Sequence, residues 1–179
     1  MEATTTRKES GLVTGLFTDK ESSEAAYRSL RDRGYSDDEI DVIMSDETRD
    51  KYWGGDQPET ELGNKAAEGA AVGGAVGGTL GAIIGGVAAI GTNLILPGLG
   101  LVVWGPIAAA LAGAGAGGLT GGLAGALIGL GIPEERAKLY ETGVKEGGTV
   151  IGVTPRTPAD ADFFAEEWKN KHRAQDVYR

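Results

Sequence analysis

The pattern closest to a chemical site is the glycine- and alanine-rich run at residues 113–118, which matches the dinucleotide fingerprint G-x-G-x-x-G. That fingerprint binds a pyrophosphate only where it joins a strand to a helix and an acidic residue follows about twenty positions later. Here the run lies inside a segment whose composition predicts helix on both sides. We therefore predict no nucleotide site and no cofactor.

Metal binding and nucleophilic catalysis also lack the residues they need. The chain has one histidine, His172, and no cysteine, whereas a zinc site takes several such ligands. The acidic cluster Asp37, Asp38 and Glu39 lacks the spacing and the glycine of a calcium loop. No serine or threonine has a histidine base near it in sequence. We predict no catalytic residue, no metal and no enzymatic activity.

The dominant feature of the chain is the stretch from Gly69 to Pro133, which contains no Asp, Glu, Lys, Arg or His. Two ladders of glycine recur in it at every fourth residue. The first ladder is Gly69, Gly73, Gly77, Gly81 and Gly85, and the second is Gly113, Gly117, Gly121, Gly125 and Gly129. On a helix such spacing places the glycines on one face, where a second helix backbone can approach closely. We interpret the ladders as helix-packing and oligomer contacts.

A connector from about Thr92 to Trp104 separates the ladders. Because proline interrupts a helix, its Pro97, Gly98 and Gly100, followed by Pro106, predict the turn of a helical hairpin. The arms would be helices over about 66–91 and 106–131. Each arm would be about 38 Å long, enough to cross a hydrocarbon core of about 30 Å.

The N-terminal part of the chain predicts a β-α-β unit. Leu12 to Phe17 favours a first strand, and Thr18 with Glu21 matches a capping box that would begin a helix. Gly34 is suited to end that helix. Alternating apolar residues from Ile40 to Met44 predict a half-buried second strand, and residues 46–65 a polar connection.

The C-terminal part predicts an α-β-α unit. A helix would begin at Pro133 and end at Gly147, followed by a strand over Thr149 to Thr154. Apolar residues from Ala161 to Trp168 recur with helical spacing and predict a last helix.

Together these elements predict an α+β fold with a small split α/β head of the ferredoxin-like type, because neither half buries a core alone. The predicted head comprises residues 10–57 and 132–173. The glycine-zipper hairpin occupies 58–131, and the ends, 1–9 and 174–179, are predicted to be tails, the first of them disordered.

Two segments, Leu96–Gly118 and Gly129–Pro155, resemble a bacterial family of general stress or heat-induced stress proteins. Members of this family carry a glycine-zipper insert within a small α/β domain. The resemblance covers roughly residues 10–155. It implies a stress-responsive, membrane-associated bacterial protein and supplies no catalytic residues.

Charge and composition limit the classes of partner that the chain could bind. The formal net charge is −9, which argues against nucleic acid because phosphate binding needs a basic face. A stretch with so much apolar surface must be covered, either by lipid or by other copies of the same stretch. One hypothesis is a non-enzymatic protein that oligomerises at the inner membrane with a cytoplasmic head. The other is a soluble cytoplasmic particle or shell in which many hairpins bury one another.

Overall fold

A six-stranded antiparallel sheet lies at the centre of this mixed α+β fold. The structure is a computed structural model and describes residues 11–53, 94–96, 100–111 and 121–179. The strands are β1 (Val13–Phe17), β2 (Ile40–Ser45), β3 (Leu94–Leu96), β4 (Leu101–Trp104), β5 (Thr149–Val153) and β6 (Asp176–Tyr178). Their order is β3-β4-β2-β5-β1-β6, and every neighbouring pair is antiparallel. Because β5 lies between β1 and β2, both ends of the chain share one sheet.

Helices cover both faces of this sheet. They are α1 (Lys20–Asp32), α2 (Asp46–Trp53), α3 (Gly122–Gly129), α4 (Glu134–Lys145) and α5 (Pro158–Asn170), with a 3-10 turn at Asp37–Glu39. Residues 106–111 are also helical. Helices α1 and α5 contribute to one core, and α3, α4 and residues 106–111 contribute to the other. The described residues therefore form three layers.

The face covered by α1 and α5, here called the aromatic face, is built from large rings. Trp168 meets Phe17 edge-on at a centroid distance of 5.7 Å, and Phe164 meets Tyr35 edge-on at 5.4 Å. These four side chains are almost fully buried. Edge-to-face ring contacts add to the stabilisation that burial provides.

The opposite face, here called the aliphatic face, is built from smaller side chains. Leu16, Ile43 and Val150 of the sheet pack with Ile107 and Leu127 of the covering helices. Ile107 and Leu127 belong to the stretch that has no ionisable residue. Part of that stretch is therefore core of the head.

The predicted elements of the two termini are confirmed: strands β1, β2 and β5 and helices α1, α4 and α5 are present. Helix α1 ends at Asp32, and Gly34 follows the C-cap with a φ of +86°, the left-handed conformation predicted for it. Its start differs, because the N-cap is Asp19, whose carboxylate accepts from the Ser22 amide at 2.8 Å. The predicted capping box of Thr18 and Glu21 is therefore wrong by one residue.

Strand β2 is more buried than predicted. All its residues except Ser45 are buried, including Asp41 at 1% exposure. The prediction of a half-buried strand failed because it did not anticipate a helical layer on the aliphatic face. The segment after β2 was predicted to be a polar connection, but Asp46–Trp53 is helix α2.

In its described part, the connector forms two strands of the sheet, which the prediction of a turn between helices did not anticipate. β3 and β4 form an antiparallel pair, and β4 pairs with β2 from Val42↔Trp104 to Ser45↔Leu101. Gly100, with a φ of +59°, lies in the turn between β3 and β4, and Pro106 begins the helical residues 106–111. Pro97 and Gly98 lie outside the described residues. The physical reason is that Val102 and Val103 favour a strand and that β2 offers an open edge for pairing.

The predicted arm over 106–131 is not one continuous helix. Gly121 is a turn residue, and Gly122, the first residue of α3, has a φ of +67°, which interrupts right-handed helix at this point. The other arm, 66–91, lies outside the described residues. Among the described helices, none is both long enough and apolar enough to cross a bilayer.

The predicted tail at 174–179 is a strand of the sheet. β6 pairs with β1, from Thr14↔Tyr178 to Leu16↔Asp176. The Gln175 amide also donates to the Leu16 carbonyl at 2.8 Å. The prediction missed this strand because three residues are too few to show a period. The predicted tail at 1–9 lies outside the described residues.

Candidate functional site

The predicted glycine contacts fall partly outside the described residues. The undescribed ones are Gly69, Gly73, Gly77, Gly81, Gly85, Gly113 and Gly117. The described ones are Gly121, Gly125 and Gly129, which follow one another along α3 and the turn before it. The run matching the dinucleotide fingerprint, 113–118, also lies outside the described residues.

The three described glycines lie on the side of α3 that faces away from the core. The opposite side carries its buried residues, Leu123, Ala124, Ala126 and Leu127. A Cβ placed on Gly125 or Gly129 would meet nothing within 4 Å. Ile128, on the same side, is 41% exposed. We call Gly121, Gly125, Ile128 and Gly129 the glycine face.

Two carboxylates hold the apolar stretch against the sheet, and the first is Asp41. This residue lies in β2, points toward the aliphatic face and is 1% exposed. Its Oδ1 accepts a hydrogen bond from the backbone amide of Ile107 at 2.7 Å. An acidic side chain of the head thereby binds the first turn of the helical residues 106–111.

Glycines on both sides leave space for the Asp41 carboxylate. A Cβ on Gly105 would lie 2.7 Å from Asp41 Oδ1 and 2.4 Å from the Ile40 carbonyl oxygen, and the φ of Gly105 is +87°. A Cβ on Gly152, the β5 partner of Asp41, would lie 3.2 Å from Asp41 Cβ. Larger residues at either position would displace the carboxylate.

The environment of Asp41 disfavours its charge. Burial raises the pKa of Asp41 to about 7, and the hydrogen bond from Ile107 only partly opposes that rise. A buried carboxyl with one backbone donor is expected to behave in this way, because desolvation outweighs a single hydrogen bond.

The second carboxylate is Glu141 of α4. Its Oε2 accepts from the Ala124 amide at 2.7 Å, in the first turn of α3, and its Oε1 accepts from Lys145 at 2.6 Å. A Cβ on Gly122 would lie 3.2 Å from this Oε2. Lys145 first, and then the Ala124 amide, hold the pKa of Glu141 below its ordinary value.

These two residues, here called the docking carboxylates, both accept hydrogen bonds from amides in the first turn of a helix. The first amides of a helix need acceptors, which Ser, Thr, Asp or Asn side chains usually provide. Near the helix starts at 106 and 122 the sequence offers no Ser, Asp or Asn, and its one Thr is Thr120. Side chains of the head supply the missing acceptors from 66 and 17 positions away.

A buried polar pair extends the site across the sheet. The Tyr140 hydroxyl of α4 lies 2.8 Å from Thr14 Oγ1 and donates toward the Thr14 carbonyl at 3.2 Å. Thr14 and Asp41 both pair with Gly152, so the three residues form one row across β1, β5 and β2. Burial raises the pKa of Tyr140. The row fixes α4 over the sheet centre.

A separate ion-pair cluster joins the two halves at one end of the sheet. Arg33 pairs with Asp160 at 2.6 Å, and Arg156 pairs with Glu39 at 2.6 Å. The Tyr35 ring lies under the Arg156 guanidinium at 4.4 Å. Because these partners are more than 100 positions apart, the cluster ties the N-terminal unit to the C-terminal unit.

The acidic cluster and His172, which the sequence analysis also considered, contact neighbouring side chains of the fold. Asp37 accepts from the Tyr27 hydroxyl, and Glu39 is engaged with Arg156. His172 Nε2 lies 3.9 Å from Glu167 Oε2, and burial is the main cause that lowers its pKa. Over the part of the chain that the structure describes, no group of three His, Asp or Glu side chains could hold a metal ion.

Sequence reasoning missed both docking carboxylates. The alternating pattern of β2 places Asp41 on the outward side of the strand, and no prediction was made for Glu141. An aspartate inside a run of Ile, Val and Met was a usable signal, because aspartate is depleted in strands. Nothing local to Glu141 pointed to α3.

Comparison with known proteins adds no relative: no family model, no curated protein and no solved structure matches this chain.

Proposed function

We propose that this is a non-enzymatic, self-associating protein in which the glycine ladders of the apolar stretch join copies of the chain. The observation that carries the proposal is the glycine face, which α3 directs away from its own core. A second helix backbone could approach such a face closely. The stress-response setting follows from the family that the sequence resembles and is part of the proposal.

The docking carboxylates support this role by fixing the orientation of the glycine face. Asp41 binds the helical residues 106–111, and Glu141 binds the first turn of α3. A surface held at a constant angle to the head can bind a copy of itself with less loss of conformational freedom than a loose one.

We further propose a ferredoxin-like head with a long insert. The elements β1, α1, β2, β5, α5 and β6 follow the order β-α-β-β-α-β, and their strands are arranged as β6-β1-β5-β2. The insert lies between β2 and β5. It contributes β3, β4 and α3, and α3 covers the sheet face opposite α1 and α5 together with α4 of the head.

A second candidate is association with the inner membrane, with the head on the cytoplasmic side. The observation that favours it is the absence of any ionisable residue from Gly69 to Pro133. Ile128 and Leu130 also expose 41% and 37% of their surface. A bilayer would accept such a surface, as would the interior of a soluble assembly.

The test compares Gly125→Leu with Gly11→Leu in the full-length chain. Both glycines have open space around the position of a Cβ, and neither has a positive φ. Leucine at 125 would project from the glycine face and keep a second backbone away. We would measure native mass without detergent and flotation with liposomes of anionic lipid, using circular dichroism to verify the fold.

We expect the parent protein and Gly11→Leu to form the same large species and Gly125→Leu to fall to a smaller one. Equal masses for all three proteins would refute the packing role. If the parent floats with liposomes and has no defined mass in water, the membrane candidate replaces the soluble assembly.

A further inference from the structure

Asp41 connects two pieces of chain that are distant in sequence. Strand β4, Gly105 and the helical residues 106–111 form one continuous segment, Leu101–Leu111. Its strand pairs with β2 and contributes side chains to both faces, and its helical residues cover the aliphatic face. At one end Gly100 accepts from the Asp46 amide at 2.9 Å. At the other end, the Ile107 amide donates to Asp41 at 2.7 Å. Asp41 is the buried, titratable contact of the segment.

The described groups around Asp41 are uncharged. Gly105 follows β4, Gly152 lies in β5 and Thr14 lies in β1. The nearest titratable group on α4 along the same row is Tyr140, which binds Thr14. Arg136 acts on Tyr140, and Glu141 is engaged with Ala124 and Lys145. Ionised Asp41 would therefore rely on the Ile107 amide alone among the contacts described.

We propose that Asp41 is a pH-sensitive latch that holds the segment Leu101–Leu111 on the sheet, closing as the carboxyl is protonated and weakening as it ionises. The protonated acid keeps a carbonyl oxygen for the Ile107 amide, so the contact survives without a buried charge. When the segment lifts away, the carboxylate becomes hydrated. Ionisation therefore favours the lifted state.

The direction with pH follows from linkage. The pKa of Asp41 is about 7 with the segment docked, and an exposed aspartate has a pKa of about 4. The docked state is fully favoured below the lower value and loses stability as pH rises between the two values. Above the higher value the effect levels off.

Two other groups could imitate this response and must be separated from it. His172 is the only histidine of the chain, but it lies beside Glu167 after α5 and burial lowers its pKa. Glu39 lies two residues before Asp41, but Arg156 lowers its pKa to about 2. Glu39 is therefore ionised throughout the range in which Asp41 titrates.

The test is amide hydrogen exchange of the full-length protein at pH 5, 6, 7 and 8, corrected for the intrinsic pH dependence of exchange. Protection of residues 101–111 is compared with that of β5 at 149–153. Asp41→Asn removes the titration, and His172→Gln is the control variant.

We expect protection of 101–111 to fall about tenfold per pH unit from pH 5 to 7 and then to level off, because one proton is released on opening. Protection of 149–153 should exceed that of 101–111 at every pH, because the segment opens before the sheet unfolds, and His172→Gln should behave like the parent. In Asp41→Asn, protection of 101–111 should not change with pH. An unchanging protection of 101–111 in the parent, or protection of 101–111 equal to that of 149–153 at every pH, would overturn the latch even if Asp41→Asn did not fold.

Discussion

The helices on the two faces of the sheet obtain their N-terminal caps in different ways. On the aromatic face, α1 and α5 begin at their own N-caps, Asp19 and Thr157, which accept from amides three residues ahead. On the aliphatic face, the helices of the apolar stretch receive their acceptors from Asp41 and Glu141, far away in sequence. A segment without polar residues can form capped helices only where the rest of the fold supplies the caps.

Two acidic residues near the start of β2 also differ, in the direction in which their pKa is shifted. Arg156 first, with help from Ser36, lowers the pKa of Glu39 to about 2 on the exposed side of the cluster. Burial raises the pKa of Asp41, two positions later, to about 7. Glu39 therefore contributes stability above its ordinary pKa and loses it in acid, whereas Asp41 favours the fold in acid.

The largest effect should come from the aromatic face. Trp168→Ala removes a fully buried ring that contacts Phe17 and Phe164, and we expect the free energy of unfolding to fall by about 3–5 kcal/mol. Chemical denaturation measures it, with half-buried Phe163→Ala as the control. A loss below that of Phe163→Ala would show that the aromatic face is not the main core.

Gly105→Ala should break the aliphatic face more selectively. The new Cβ would lie 2.4 Å from the Ile40 carbonyl oxygen at a φ of +87°, and such strain costs about 1–3 kcal/mol. We expect lower thermal stability and faster exchange at 106–111 than at 158–170. The control is Gly11→Ala, where the added carbon meets open space. Equal stability of the two variants would contradict the close packing around Asp41.

Removing one cap from each face sharpens the comparison further. Asp19→Ala and Glu141→Ala should each lower the free energy of unfolding by about 1 kcal/mol. The exchange patterns should differ. Asp19→Ala should loosen α1 itself, whereas Glu141→Ala should loosen α3, whose Ala124 lies 17 positions before Glu141 in sequence. Exposed Glu146→Ala is the control. Loosening of α4 alone by Glu141→Ala would show that the contact with α3 is not formed.

The smallest effect should be a gain in stability. Gly125→Ala places a methyl group in open space within α3, and alanine is favoured over glycine in a helix by about 1 kcal/mol. We expect a slightly higher melting temperature than that of the parent when both are diluted to single chains, where no second copy covers the glycine face. A lower melting temperature would show that the backbone of α3 is closely covered at this position.

How much the sequence predicts differs between the two faces. The helices of the aromatic face could be predicted because Gly34 and the spacing from Ala161 to Trp168 are local signals. The aliphatic face was missed for a physical reason: a run of Gly, Ala, Leu and Val carries no cap or charge to mark where helices begin. Its strands and helices are selected by pairing with β2 and by the docking carboxylates, which are long-range contacts.

The most direct test of this account is an NMR titration that follows the backbone amides of Ile107 and Ala124 in the full-length protein. If head carboxylates cap the apolar stretch, the Ile107 shift should titrate near pH 7 with Asp41. The Ala124 shift should titrate below the ordinary glutamate range with Glu141. Each response should vanish in Asp41→Asn or Glu141→Gln, respectively. Shifts of both amides that do not titrate in the parent protein would contradict the docking of this stretch on the head.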